Sequence, residues 1–499
     1  MDRAKQARGW LKGSNFDPIP SANLNSEGAL ASLPGGETAA KFLFASFRDG
    51  GGTHVNPQPD RSGRYRLTFT GAATVNFASA GTNVTQIDAN TYEFDCNYVG
   101  TKWLTFTPTS FPIKATIVKT TDLAAHAGGQ IFRQEYLDFL PSGGCFRFMD
   151  WAGTNNSPVV NLADYPVAES QSWLRVPLSV MVSLCNTKSA DMWLNIPHQA
   201  TDALVTDWAT YLRDNLTSTL KIRIELSNEI WNTGTFSQGS YFKGQAEAVW
   251  GVPDGYGGGG YWLDYAGKRF AQIMAIFNTV FTGQTNRLIG VIAGQAANPV
   301  ISARMLDATA WQTFEPGSYV APHTRAKEYS IADYIGWGGN GGAIAQANII
   351  KTALDTSHAA AVQAIKDQFP FGLAGSKNGI DMAVPLAANR GLRLTTYEYN
   401  NHYDLAAVSG SNLWSGGAPV AGALDAFIEA TYSAEMAAAQ DELRNYWKAQ
   451  NGSLKCFFVE CVRGGRSGTW GGVTHIGHDS AIWNALTAWH TANARWWAR

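Results

Sequence analysis

"DMWLNIPHQATDALVTDWATYLRDNLTSTLKIRIELSNEIWN" runs from Asp191 to Asn232. It opens with a strand-like run, DMWLNIP (191–197). In DALVTDWATYLRDNL (202–216), Leu204, Val205, Trp208, Leu212 and Leu216 share one face at helical spacing. KIRIELSNE (221–229) is strand-like again. Strand, helix, strand is the repeating unit of a parallel sheet, whose strands are buried between a core and a helix layer and so read as Val, Ile and Leu. Asn228 and Glu229 stand where the second strand stops, and the exits of such strands are where α/β folds place their chemistry.

The alternation extends in both directions. CFRFMDW (145–151), RLIGVIAG (287–294), IADYIGWGG (331–339), LRLTTYEYN (392–400) and CFFVECV (456–462) read as further strands. Helices are predicted over 261–281, 342–369, 422–450 and 480–497. No Gly-rich phosphate fingerprint follows a strand, and GYGGGG (255–260) reads as a loop. A closed (β/α)8 TIM barrel is therefore expected rather than an open doubly wound sheet. From Tyr65 to about Thr121 the texture differs: YRLTFT, ATVNFAS, TYEFDCNYV, KWLTFTP and IKATIVK alternate with period two between Gly and Asn turns. That pattern predicts a small antiparallel β-sandwich, inserted or N-terminal. The expected α/β organisation is an N-terminal segment and loop packing on the barrel over 1–62, the sandwich over 63–121 and the barrel over 122–499.

Of 499 residues, 45% are hydrophobic and 16% charged, a globular balance, and the net charge of −2 argues against a nucleic-acid partner. No apolar run approaches the roughly 18 residues of a membrane span. The opening MDRAKQARGWLKGSN is polar and lacks the apolar stretch of a secretory leader, which leaves the location open between extracellular and virion-associated. The five cysteines, 96, 145, 185, 456 and 461, are too few and too irregular for a disulfide framework and are expected as buried thiols. The 18 Trp exceed what a core needs, and an indole suits the flat face of a sugar.

The strand exits carry Arg147, Asp150, Trp151, His198, Asn228, Glu229, Tyr334 and Glu398, with Trp470 soon after the last strand. Glycoside cleavage requires two carboxylates flanking the scissile bond, one a proton donor and one ionised. Glu229 and Glu398 are the glutamates that end a clear strand among polar and aromatic neighbours. IELSNEIWN and TTYEYNNHYD resemble the fourth- and seventh-strand motifs of the retaining (β/α)8 glycoside hydrolases, the large clan with its carboxylates on strands four and seven. FRFMDWAGTNNSP, WLNIPH and GTWGG resemble one poorly characterised branch of that clan.

The resemblance covers about residues 145–475. It implies Glu229 as acid/base beside Asn228, Glu398 as nucleophile, Arg147 as its support, and Tyr334 and Trp470 lining the sugar site. It implies a polysaccharide or oligosaccharide substrate, β-glycosidic bonds and no metal or organic cofactor. The chain departs from the branch at YEYNNH, where YEGGQH is expected, and the bulkier Tyr399 and Asn400 are expected to narrow the cleft. The first barrel strand is not found. In relatives it lies upstream of a segment like KQARGW, which here follows Met1. The chain is then part of a longer polypeptide, such as a virion tail assembly, or closes its barrel with another strand.

Blander readings stand beside these. Glu229 is alternatively a solvated or salt-bridged strand-end charge, and Arg147 an interior ion pair. Glu225, deeper in the barrel, is expected to pair with Arg223. His198 and His402 are either substrate-binding or ordinary polar loop residues, and HIGH (475–478) is weak as a metal site. Trp208, Trp447 and Trp489 are expected in the core, and Trp151, Trp231, Trp337 and Trp470 against sugar. A non-catalytic carbohydrate-binding or virion structural protein that keeps the barrel is the alternative function, and turnover of a polysaccharide separates the two.

Overall fold

The computed structural model describes residues 2–6, 9–45, 61–97, 101–251, 260–296, 298–338, 342–457 and 470–493. Its N-terminal part holds eight antiparallel strands: β1 (Gly9–Lys12), β2 (Ala40–Ala45), β3 (Gly63–Phe69), β4 (Ala72–Asn76), β5 (Thr82–Asp88), β6 (Thr91–Cys96), β7 (Lys102–Ser110) and β8 (Ala115–Lys119). They form two four-stranded sheets, ordered β1-β2-β7-β4 and β5-β6-β3-β8. The period-two alternation explains the arrangement. In β3, Tyr65, Leu67 and Phe69 are buried in a core shared with Phe42, Phe94 and Phe106, while Arg64 and Arg66 pair with Glu93 on the other face. Two of the eight strands come from residues 1–62, which also reach the barrel's loops: Lys5 Nζ donates to the carbonyls of Ala168 and Ser170. Gln171 exchanges two 2.7 Å hydrogen bonds with the backbone of Ala115 in β8.

The remainder alternates strand and helix. β9 (Cys145–Arg147), β10 (Asp191–Ile196), β11 (Ile222–Leu226), β12 (Leu288–Gly294), β13 (Glu328–Gly336) and β14 (Arg393–His402) precede a two-residue-a-side hairpin, β15 (Trp414–Ser415) with β16 (Ala418–Pro419), and a last strand β17 (Lys455–Phe457). Seven of these form one parallel sheet in the order β17-β14-β13-β12-β11-β10-β9, so each strand lies beside its neighbour in sequence. Every residue of β10, β11 and β12 is buried, as strands covered on both faces require. β9 and β17 approach to within 8 Å between Cα atoms, and Cys145 and Cys456 lie together at that seam. The sheet is a nearly closed seven-stranded barrel.

Several expectations are corrected. β13 begins at Glu328, three residues ahead of the run read from sequence. The 342–369 helix is broken into Gly342–Thr356 and His358–Lys366, where the Ser357 side chain caps the second. The helix Phe369–Ala388 was not foreseen, since three glycines and Pro385 depress its propensity. A Cβ on Gly372 would stand 2.6 Å from the Gly336 carbonyl oxygen, so this helix packs on β13 more closely than a side chain permits. Cys145 and Cys456 are half-buried rather than buried, and Cys461 lies outside the described residues.

Trp208 and Trp447 are core, whereas Trp489 is half-buried beside the seam. Glu225 does not pair with Arg223. Residues two apart on a strand face the same side about 7 Å apart, and the lower one, Arg223, meets Glu328 and Asp191 instead.

Candidate active site

Arg147, the last residue of β9, organises the barrel mouth. Its Nε and one terminal nitrogen each donate to Glu225 at 2.9 Å. That same terminal nitrogen donates to Asn228 Oδ1 at 2.9 Å, and the other donates to Glu398 Oε1 at 3.0 Å. The second oxygen of Glu398 accepts from the Tyr334 hydroxyl at 2.7 Å. Strands β9, β11 and β14 thus meet at one cation, and β13 joins them through Tyr334 on Glu398. The planar guanidinium suits this, because its donors fan out in a fixed fork. Arg147 is therefore both an interior ion pair, through Glu225, and the group that holds Glu398.

Glu229 is set differently. Asn232 donates to its Oε2 at 3.1 Å and the Tyr397 hydroxyl to its Oε1 at 3.3 Å, both neutral donors. Burial, and then the charge of Glu398, push its carboxyl above the usual range. Glu229 and Ser227 both have left-handed backbone, with φ of 40° and 55°. Non-glycine residues in that region are held there by their surroundings, and such strain concentrates at functional sites. The surroundings here are amides. Gln238 donates to the Asn228 carbonyl at 2.7 Å and to Asn155 Oδ1 at 2.9 Å, and Asn228 donates to the same Asn155 oxygen at 3.1 Å. Asn155 and Gln238 were not singled out in the sequence, although Asn155 belongs to the quoted GTNNSP stretch.

On the opposite side His402 lies between Tyr334, with ring centroids 5.2 Å apart, and Trp470, stacked at 5.6 Å and 10°. Burial lowers the His402 pKa, which keeps the ring neutral near pH 7. Asn400 holds the Trp470 carbonyl. Tyr399 turns away from the mouth, edge-on to Phe457 and beside Arg444, so it does not narrow the cleft as expected.

Three other predicted residues are placed elsewhere or otherwise. His198 is 3% exposed, edge-on to Tyr241, with its pKa lowered by burial to about 4; no described hydrogen bond or ring contact joins it to either glutamate. Trp151 stacks on Phe132 at 6.5 Å and tilts against Phe148. Trp337 is wedged against Tyr403 and Phe427, donating to the Asp404 carbonyl, which is packing rather than an open platform. Trp231 tilts over Tyr397 at 6.1 Å beside Glu229. His475 and His478 stack on each other with Thr474 at their Nδ1 atoms. Among the described residues no group of three metal-ligating side chains occurs, and no helix is long and apolar enough to cross a membrane.

No family model and no curated protein matches the sequence. Solved structures of similar shape include an α-L-arabinofuranosidase from Thermotoga maritima, 13% identical with a TM-score of 0.37, covering 71% of this chain and 63% of that one. A GH51 arabinofuranosidase from Xanthomonas axonopodis pv. citri is 11% identical with a TM-score of 0.34, covering 69% of this chain and 60% of that one. The endo-1,4-β-xylanase 10B modules of Clostridium thermocellum are 9% identical with a TM-score of 0.31, covering 91% of each chain. The chain spans less than two-thirds of the length of the first two.

Proposed function

We propose that the protein is a retaining glycoside hydrolase that cleaves β-glycosidic bonds of a polysaccharide by double displacement. One observation carries the reading: two glutamates, at the exits of β11 and β14 with β12 and β13 between, are held in unlike electrostatic settings. Glu398 accepts from a guanidinium and a phenol, one at each carboxyl oxygen. Glu229 is hydrogen-bonded only by neutral donors, and burial and the charge of Glu398 outweigh them to raise its pKa, which favours its proton. Of two carboxyls so placed, the one whose pKa is raised suits the acid, and the one held by the cation suits the nucleophile.

In this mechanism Glu398 attacks the anomeric carbon while Glu229 protonates the departing glycosidic oxygen. Glu229, now ionised, takes a proton from water as that water displaces the sugar from Glu398. The two carboxyls then stand about 5 Å apart, as double displacement requires. Tyr334 and His402 line the nucleophile's side, and Trp470, stacked on His402, offers an indole to the sugar. Trp231 flanks the acid. The chemistry needs neither a metal nor an organic cofactor.

The test is turnover of a broad polysaccharide and aryl β-glycoside panel, with proton NMR of the first-formed product. Retention of the anomer is expected. Glu398→Ala should stop the first step for every substrate. Glu229→Ala should spare it for a good leaving group and then stall with sugar on Glu398. An inverted product, or full activity in either variant, overturns the roles. Sugar binding without turnover supports the non-catalytic reading instead.

The seam between β9 and β17 is a cavity of about 360 Å³ lined by Phe146, Leu184, Leu454, Phe457, Trp483 and their neighbours, and it is where an eighth strand would complete a (β/α)8 barrel. The two antiparallel sheets and their shared core are read as a β-sandwich.

A further inference from the structure

We infer that Tyr397 is a positioning residue for Glu229, brought to it by a β-bulge in the strand that carries Glu398. This rests on the reading of Glu229 as the acid/base. Neighbouring residues of a regular strand point to opposite faces. With Glu398 turned into the barrel mouth, Tyr397 would point out into the helix layer. The register shows why it does not. Against β13, Ile331 pairs with Thr396 but Ala332 pairs with Glu398, so Tyr397 is one residue extra. Against β17, Thr396 pairs with Lys455 and Tyr399 with Phe457, so Tyr397 and Glu398 together face Cys456 alone. Both neighbours record the same insertion, which re-aims a side chain in the way bulges beside active sites do.

The re-aimed ring is 2% exposed and packs inside the barrel with Trp193, Val291 and Leu454. The Arg147 guanidinium lies 5.0 Å from its centroid, and Trp231 tilts against it. Tyr397 therefore touches the cation that holds Glu398 while its hydroxyl donates to Glu229. The groups facing Glu229 are Glu398, Arg147, Asn232 and Tyr397. Of these, Tyr397 and Asn232 contribute hydrogen bonds, one to each carboxyl oxygen. A donor to a carboxylate favours the charged form, so Tyr397 supports the ionised Glu229 that the second step uses as a base, and fixes the carboxyl plane for the first.

The test is a pH titration of carbon-13-labelled glutamate carboxyls in the full chain, with the Glu229 signal assigned by its loss in Glu229→Gln. Tyr397→Phe keeps the ring over Arg147 and removes the donor. The Glu229 midpoint should rise by about half a unit to one unit, a modest shift because the bond is long. On unactivated oligosaccharide β-glycosides, whose poor leaving group needs the acid, the alkaline limb of kcat/KM should move the same way. In the unaltered protein the hydroxyl-bearing ring carbon of Tyr397 should titrate in step with Glu229, and Glu229→Gln should abolish that step, which decides the matter even if Tyr397→Phe does not fold. An unmoved Glu229 midpoint, or a Tyr397 signal indifferent to Glu229, overturns the inference. Absence of turnover by the unaltered protein on every glycoside overturns the hydrolase reading while leaving the carboxyl titrations to judge Tyr397.

Discussion

Replacing Arg147 with Met leaves Glu225 and Glu398 without their shared cation. The side chains are 6% exposed for Arg147, 1% for Glu225 and 10% for Glu398, so water screens little of the interaction. Removing one partner of a buried pair costs about 3–5 kcal/mol, because the abandoned charge stays buried. The carboxyls limit the loss by taking up protons, so the deficit should grow from pH 5 to pH 8 as protonation becomes harder. Activity suffers through a different bond. Glu398 loses one charge-assisted hydrogen bond of 3.0 Å. Such a bond is worth about 1.5–3 kcal/mol, or roughly 10- to 150-fold in kcat/KM if it is needed to aim Glu398 as the proposed nucleophile.

Adding Glu225→Gln separates the two effects. It removes one uncompensated charge and keeps an acceptor for the Trp193 indole N–H, which donates to Glu225 at 2.8 Å. The double variant should regain part of the stability and none of the rate. The assay is denaturant unfolding at pH 5 and pH 8 together with initial rates on an aryl β-glycoside. A single variant that loses less than about 1 kcal/mol with its rate within threefold, or a double variant whose rate recovers, refutes the role given to Arg147.

Two further outcomes are expected. Because the folded Glu229 pKa is raised, its contribution to stability is full below the unfolded value and is lost as pH rises through the folded one; Glu229→Gln should match the unaltered protein near pH 4 and melt higher at pH 8, and equal melting across that range would contradict the assignment. The two tryptophans should separate as well: Trp470→Ala should weaken oligosaccharide binding by about 1–3 kcal/mol with little change in melting. Trp151→Ala should chiefly lower the melting temperature, since Phe132 and Phe148 pack on its ring, and the reverse pattern by calorimetry and titration would exchange their roles.

The parts of the site that were legible in the sequence are those set by position along a strand. Glu229 and Glu398 end strand-like runs, and Arg147 and Tyr334 lie near the ends of two others, so the mouth of a barrel gathers them whatever the details of packing. Tyr397 was not legible, because alternation places it opposite Glu398 and only a bulge turns it inward. Asn155 and Gln238 were missed because their hydrogen bonds join a loop to a helix far away in the chain. Phe369–Ala388 was missed because its glycines serve a contact with β13 that no local propensity reflects.

Period and composition therefore determined, without any fold, the strands of the barrel and several of its helices, that the first part is antiparallel and the rest parallel, and which carboxylates reach the strand exits. These follow from burial, and burial is written into each segment by which faces are apolar. The tertiary structure alone decided which charge meets which. Glu225 and Glu398 are both buried glutamates on inward-facing positions, and nothing local distinguishes their partners. Arg147 holds both, while Arg223, two residues from Glu225, is drawn to Glu328. The height of each residue in the barrel and the one-residue slip in β14 set those distances, and electrostatic energy depends on distance rather than on sequence.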